Sequence, residues 1–332
     1  MKNTVHALAT VAAAASLAFG AHAATESGTA DKPRVKIVAT TFPIYDWTRE
    51  ILGDRLAEAD VVLLQQSGAD LHSYSPSAAD LRQIAACDLF VFVGGESDEW
   101  TERALAQKSN PRRRVLNLVK ALGSAAKEEK IVEGMEHEHH HHDAMHDDDH
   151  DDDEHEIDEH VWLSLRNAAT LVKAISDELV ALDPKNAKTY QANANAYCAK
   201  LAALDGEYAK VVAGAKRRTL LVADRFPFRY LADDYGLEYF AAFAGCSAES
   251  EASFKTIAFL AKKVDALSLP VIVTMEGATH KIAETVRRST QARNQRILAL
   301  DSLQSTGGEA AKTTRYLDVM RRNLETLRAA LN

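Results

Sequence analysis

Short β-branched apolar runs alternate with helical patterns along most of this chain. Val35-Lys36-Ile37-Val38-Ala39-Thr40 reads as a first strand, followed by Pro43 and helical spacing from Tyr45 to Leu52. Ala59 to Leu64, the apolar run Asp88 to Val93 ending in Gly94-Gly95, and Arg114 to Leu118 predict three more strands. Helices are predicted between them at Ser77 to Ala86 and Trp100 to Ala106. The second half repeats the rhythm, with strands at Thr219 to Ala223, Leu237 to Phe243, Val271 to Thr274 and Ile297 to Leu300. Helical patterns there cover Phe254 to Lys263 and Tyr316 to Leu331. Between the halves, Arg166 to Leu182 has helical spacing, and Asp183-Pro184 is a cap followed by a first-turn proline. From Pro184 to about Val212 there is one Gly and no further Pro, enough for a helix of roughly 40 Å. The expected fold is α/β: two lobes, each a parallel sheet flanked by helices, joined by a long spine helix. Ligands of such sheets bind beyond the carboxyl ends of the strands, so the cleft between the lobes is the expected site.

One stretch breaks the rhythm. Glu136 to His160 reads EHEHHHHDAMHDDDHDDDEHEIDEH, with nine His, thirteen Asp or Glu, and no Lys or Arg. It has almost no apolar material to offset the entropy of ordering, so it is expected to be a solvated loop. A plain acidic linker accounts for the carboxylates but not for the imidazoles. The four-His run His139, His140, His141 and His142 is internal and embedded in acids, unlike a cloned tag. With His137, His146, His150 and His155 it makes a collector for divalent metals, since imidazole favours zinc, copper, iron and nickel over magnesium and calcium. Disordered ligands bind weakly, so a better-built site is expected elsewhere in the chain.

Composition narrows the classes. The chain has 332 residues, 46% of them hydrophobic and 26% charged, which suits a soluble protein with a real core and about two domains. Its formal charge of −9 is local: outside the loop, 39 basic residues face 35 acidic ones, and no basic patch points to nucleic acid. At the N-terminus, Lys2, the apolar run Leu8 to Gly20, and Ala21-His22-Ala23 fit an export signal cleaved near Ala23. No Cys lies near that site for a lipid anchor, and no segment is long and apolar enough to span a bilayer. The mature protein is expected in a periplasm-like compartment. The expected boundaries are a signal peptide over 1–23, an N-terminal lobe over 34–165 carrying the loop 136–160, helices over 166–213 including the linker 184–212, and a C-terminal lobe over 217–332. Cys87, Cys198 and Cys246 form no CxxC and cannot all pair internally. Cys246 could supply a thiolate, but such a residue reads first as a small buried hydrophobe.

Three motifs together resemble the zinc- and manganese-binding receptors of bacterial ABC importers, the ZnuA-like family, over nearly all of the mature chain. The first is Gly68-x-x-x-His72-x-Tyr74-x-Pro76, followed by Asp80, Ile84, Asp88-Leu89 and Gly94. The second is Asp158-Glu159-His160-Val161-Trp162-Leu163, in which Glu159 replaces the family's usual Pro. The third is Leu182-Asp183-Pro184-x-Asn186-Ala187-x-x-Tyr190-x-x-Asn193, which begins the family's lobe-linking helix. Zinc-selective members carry a His-rich acidic insertion just before the second motif, as here.

The resemblance implies one metal between two lobes, with His72 and His160 at the first two ligand positions and Asp301 at the last. At the third position Phe228-Arg229-Tyr230 and Tyr235-Gly236-Leu237 align Arg225, whose guanidinium cannot coordinate. Asp224, one residue earlier, is the expected substitute and Glu249 the reserve; His280 reads as a surface residue. The implied function is a non-enzymatic, monomeric substrate-binding protein that captures Zn(II) and hands it to a membrane permease driven by its ATPase. Mn(II) accepts the same donors and remains the alternative cargo. A metallohydrolase is a second class, but H-E-x-x-H, G-x-S-x-G and P-loop patterns are missing. A metal buffer or adhesin acting through the loop alone is a third.

Overall fold

Val35–Ala39 forms β1 in the computed structural model, which describes residues 34–65, 70–135, 156–247, 251–277 and 279–332. The N-terminal lobe continues with α1 (Phe42–Leu52), β2 (Ala59–Leu63), α2 (Ala78–Ala86), β3 (Leu89–Phe92), α3 (Trp100–Ala106), β4 (Arg114–Asn117) and α4 (Leu118–Leu122). Two long helices follow, α5 (Leu165–Leu182) and α6 (Ala187–Ala213). The C-terminal lobe is β5 (Thr219–Phe226), α7 (Arg229–Tyr235), β6 (Glu238–Ala244), α8 (Phe254–Leu267), β7 (Val271–Met275), α9 (Lys281–Ser289), β8 (Arg296–Leu300), α10 (Gly308–Thr313) and α11 (Tyr316–Ala330).

The strands make two four-stranded parallel sheets with the same internal order, β2-β1-β3-β4 and β6-β5-β7-β8. Every residue of the central strands β3 and β7 is buried, which explains why β3 reads as an unbroken apolar run rather than as alternation. Helix α2 starts at a reciprocal cap: Ser77 accepts from the Asp80 main-chain N–H, and Asp80 accepts from that of Ser77. Pro43 falls inside the first turn of α1 instead of before it, where its missing N–H removes no helical bond. The short helices α4, α7, α9 and α10 carry too few turns to show a periodic pattern in sequence.

Helix α6 is the spine. Its buried residues Tyr190, Ala194, Tyr197, Leu201, Leu204, Tyr208 and Val212 recur every three or four positions and make one apolar stripe. The stripe packs on α5, on α1 of the first lobe and on α11 of the second. Asn193 Nδ2 donates to the Ile51 carbonyl at 3.0 Å, fastening α6 to the end of α1. The lobes are also tied through the second motif. Trp162 Nε1 donates to the Ser302 carbonyl at 2.8 Å, and the Tyr316 hydroxyl donates to the Trp162 carbonyl at 2.6 Å. Tyr316 is fully buried edge-on against Trp47, with 5.2 Å between ring centroids.

Candidate metal centre

His72 follows the carboxyl end of β2 in a single turn, Leu71–Ser73. Asp70 caps that turn by accepting the His72 main-chain N–H at 3.1 Å. His160 arrives by another route. Residues 127–129 and 156–158 pair across the feet of the acidic loop, with an antiparallel bridge between Glu128 and Ile157. The chain then delivers His160, wholly buried, against the edge of Trp162. The imidazole-rich residues 137–155 between these feet lie outside the described residues.

The two rings meet with His72 Nε2 and His160 Nε2 3.2 Å apart. Two nitrogens on one tetrahedral zinc, each about 2.0–2.1 Å from it, stand roughly 3.3 Å apart. Both Nδ1 atoms are held from behind. Asp158 Oδ1 accepts His160 Nδ1–H at 2.8 Å, which fixes the proton there and leaves Nε2 as a lone pair. His72 Nδ1 lies 2.7 Å from Ser97 Oγ and 3.7 Å from Glu159 Oε2. Glu159 Oε1 in turn accepts the Ser97 N–H at 2.7 Å. Burial, and then the opposing His160 ring, drive the His72 pKa down to about 3, so its imidazole is neutral and free to donate. Burial raises the Glu159 carboxyl to about 7.

The third member of this group is Cys246, on the loop after β6. Candidate donor atoms of His72, His160 and Cys246 all lie within 4.8 Å of one another. The Cys246 N–H donates to Glu129 Oε1 at 2.9 Å, so the foot of the acidic loop holds the cysteine loop. Burial pushes the thiol pKa up. Gly245 lets this loop close on the histidine: a Cβ there meets His160 Cε1 at 3.2 Å and the Phe226 carbonyl at 3.0 Å.

The expected carboxylate ligands are placed differently. Asp224 Oδ2 accepts from the Thr274 hydroxyl at 2.8 Å and from the Met275 N–H at 3.2 Å, and Oδ1 accepts from the Arg225 N–H at 2.9 Å. It lines the same cavity as His72, about 780 Å³ in volume, but is not one of the clustered donors. Asp301 also stays out of the cluster. Its Oδ1 accepts the Leu303 N–H at 2.9 Å, and Oδ2 faces Arg322 at 3.9 Å. Asn323 pins its main chain on both sides. Glu249 lies outside the described residues.

Arg225 lines the same cavity. Its guanidinium bonds to Asp70 beside His72, and Nη1 donates to the Ser247 carbonyl beside Cys246 at 3.2 Å. Burial works against the Asp70 charge, yet the Arg225 hydrogen bond and charge hold its pKa below the usual range. Glu276, at the end of β7, accepts from the Ser302 N–H at 2.8 Å and from the Ser302 hydroxyl, and burial raises its carboxyl to about 7. It lines the cavity, as does exposed His280.

A sequence profile of the family described as "Zinc-uptake complex component A periplasmic" matches residues 37–330. The chain belongs to that family. The zinc-binding protein AdcA of Streptococcus pyogenes serotype M3 is 32% identical over 300 residues, covering 89% of this chain and 56% of that protein. The high-affinity zinc uptake system protein ZnuA of Bacillus subtilis is 31% identical over 306 residues, covering 92% and 90%. Among solved structures, the Zn(II)-bound ZnuA-like domain of Streptococcus pneumoniae AdcA superposes with a TM-score of 0.68 at 29% identity. That match covers 90% of this chain and 99% of the domain. The chain thus spans little more than half the length of the AdcA proteins but nearly all of the ZnuA-like domain.

Proposed function

We propose that this protein is the substrate-binding component of a metal ABC importer, capturing Zn(II) outside the inner membrane and passing it to a permease and its ATPase. The observation that carries the reading is the facing pair of His72 and His160, whose separation of 3.2 Å matches one edge of a zinc tetrahedron. Family membership and zinc-named relatives support the cargo. No helix among the described residues is long and apolar enough to cross a membrane, in keeping with a receptor that meets its permease from outside. The protein acts by binding and release, without catalysis and as a monomer. Residues 1–23 serve as a cleaved export signal. The imidazoles between His137 and His155 collect metal.

Competitive titration of the mature protein with zinc and manganese tests this reading. One tight equivalent of zinc is expected, little disturbed by manganese, lost in His72→Ala and His160→Ala, and retained when residues 137–155 are removed. Weak binding at many sites, indifferent to His72, would leave only a metal buffer acting through the loop. Tight manganese with weak zinc would reassign the cargo.

A further inference from the structure

We propose that Cys246 is the third protein ligand of the cleft, so that the metal is held by two imidazoles and one thiolate. The proposal rests on the receptor reading above and specifies its donor set. Three independent features carry it. First, among the described residues, the sulfur is the donor grouped with a ring nitrogen of His72 and of His160; the carboxylates of Asp224 and Asp301 are not. Second, the loop is built to press on the histidine, with Gly245 in close approach to His160 Cε1 and Glu129 holding the Cys246 N–H. Third, Arg225 takes the place where the family resemblance puts a ligand and ties the two donor loops together, through Asp70 on one side and Ser247 on the other. The donor has moved from the end of β5 to the loop after β6.

The geometry needs little adjustment. With Zn–S about 2.3 Å and Zn–N about 2.0–2.1 Å, sulfur and nitrogen on one tetrahedron stand roughly 3.6 Å apart. The present limit of 4.8 Å closes with a loop shift of about 1 Å. On binding, the sulfur–metal bond forms as the thiol gives up its proton to solvent. Imidazole ligates metal only in its neutral form, so the thiolate is the anionic donor of the set. Such a set favours thiophilic metals, zinc among them, and disfavours manganese, which prefers carboxylate and water.

The test is cobalt(II) absorption of the mature chain, purified with its thiols reduced. A near-ultraviolet sulfur-to-cobalt charge-transfer band is expected, saturating at one equivalent. In Cys246→Ser the band disappears while the visible cobalt transitions remain, and zinc affinity falls at least tenfold. Cys246→Asp narrows the preference for zinc over manganese. Tight cobalt binding without a charge-transfer band in the unmutated chain overturns the thiolate and leaves the receptor standing. No tight cobalt at all overturns both. The unmutated chain decides by itself, so a variant that misfolds does not blunt the test.

Discussion

Asp158 Oδ1 stands 2.8 Å from Nδ1 of His160 and 2.9 Å from the main-chain nitrogen of the same residue. One carboxylate oxygen thereby sets the rotation of the ring and the position of its proton. Partners of this kind sharpen a metal ligand by orientation and by basicity. Asp158→Ala is expected to lower zinc affinity about 10- to 100-fold. Asp158→Asn, which still accepts through Oδ1, should lose less. Chelator competition measures both. Unchanged affinity in Asp158→Ala would mean that packing against Trp162 alone orients His160.

Arg225 joins the lobes through hydrogen bonds to Asp70 and Ser247. Its bonds to Asp70 and Ser247 lie on the two donor loops, so they hold the cleft closed around whatever the loops bind. Arg225→Met should leave one zinc equivalent but release it about tenfold faster, given about 1.5 kcal/mol for a charged hydrogen bond. Stopped-flow transfer of zinc to a chelator reads this directly. Loss of the tight site altogether would give Arg225 a larger part than a tie.

Asp46 makes stability depend on pH at a point away from the cleft. It is buried beneath the start of α11 and accepts the Tyr316 N–H at 2.9 Å. Burial raises its pKa from 3.8 to about 6, with the Tyr316 bond opposing. The folded state therefore binds the extra proton between these values, and stability falls as pH rises through the window, then stays lower above it. Asp46→Asn keeps an acceptor for Tyr316 and should be more stable at neutral pH, by at most about 3 kcal/mol. Relative to the unmutated protein, its advantage should vanish near pH about 4. Urea unfolding of both proteins across this range provides the comparison.

The architecture was legible because both sheets are parallel and their inner strands are largely buried, so these strands stand out as short β-branched or apolar runs. His72 and His160, which the motifs single out, stand with their Nε2 atoms 3.2 Å apart. The surroundings of this pair were not legible, for reasons seen in particular residues. The register of β5 on β6 shifts between Val222 and Arg225, so the alternation of side chains cannot be counted through Asp224. Asp224 turns to Thr274 on the neighbouring strand, and Arg225 turns to the donor loops. Asp301 has the right address but is held by Leu303 and faces Arg322. Cys246 carried no spacing signal, because its partners are 174 and 86 residues away in sequence and meet it only through the fold. Glu159, seen in sequence as a replaced proline, shows its place only when Ser97 and His72 are set beside it.

Gly245 gives the sharpest mechanical test of the cysteine loop. Its backbone needs no positive φ, so a substitution there acts through space alone. A Cβ meets the Phe226 carbonyl at 3.0 Å, Pro227 Cα at 3.2 Å and His160 Cε1 at 3.2 Å. Two of these atoms belong to main chain at the end of β5 and have little room to give. The strain therefore falls on the His160 ring or on the loop that carries Cys246. Gly245→Ala should reduce stability by about 1–3 kcal/mol, as overpacking does, and lower zinc affinity at least tenfold. Gly206 in α6 is the control, because a Cβ there meets nothing within 4 Å. Gly206→Ala should add about 0.5–1 kcal/mol through helix propensity and leave the affinity unchanged. Thermal unfolding without metal, paired with zinc competition, separates the two effects. If Gly245→Ala loses stability but binds zinc as tightly as before, the loop after β6 packs against the site without taking part in it.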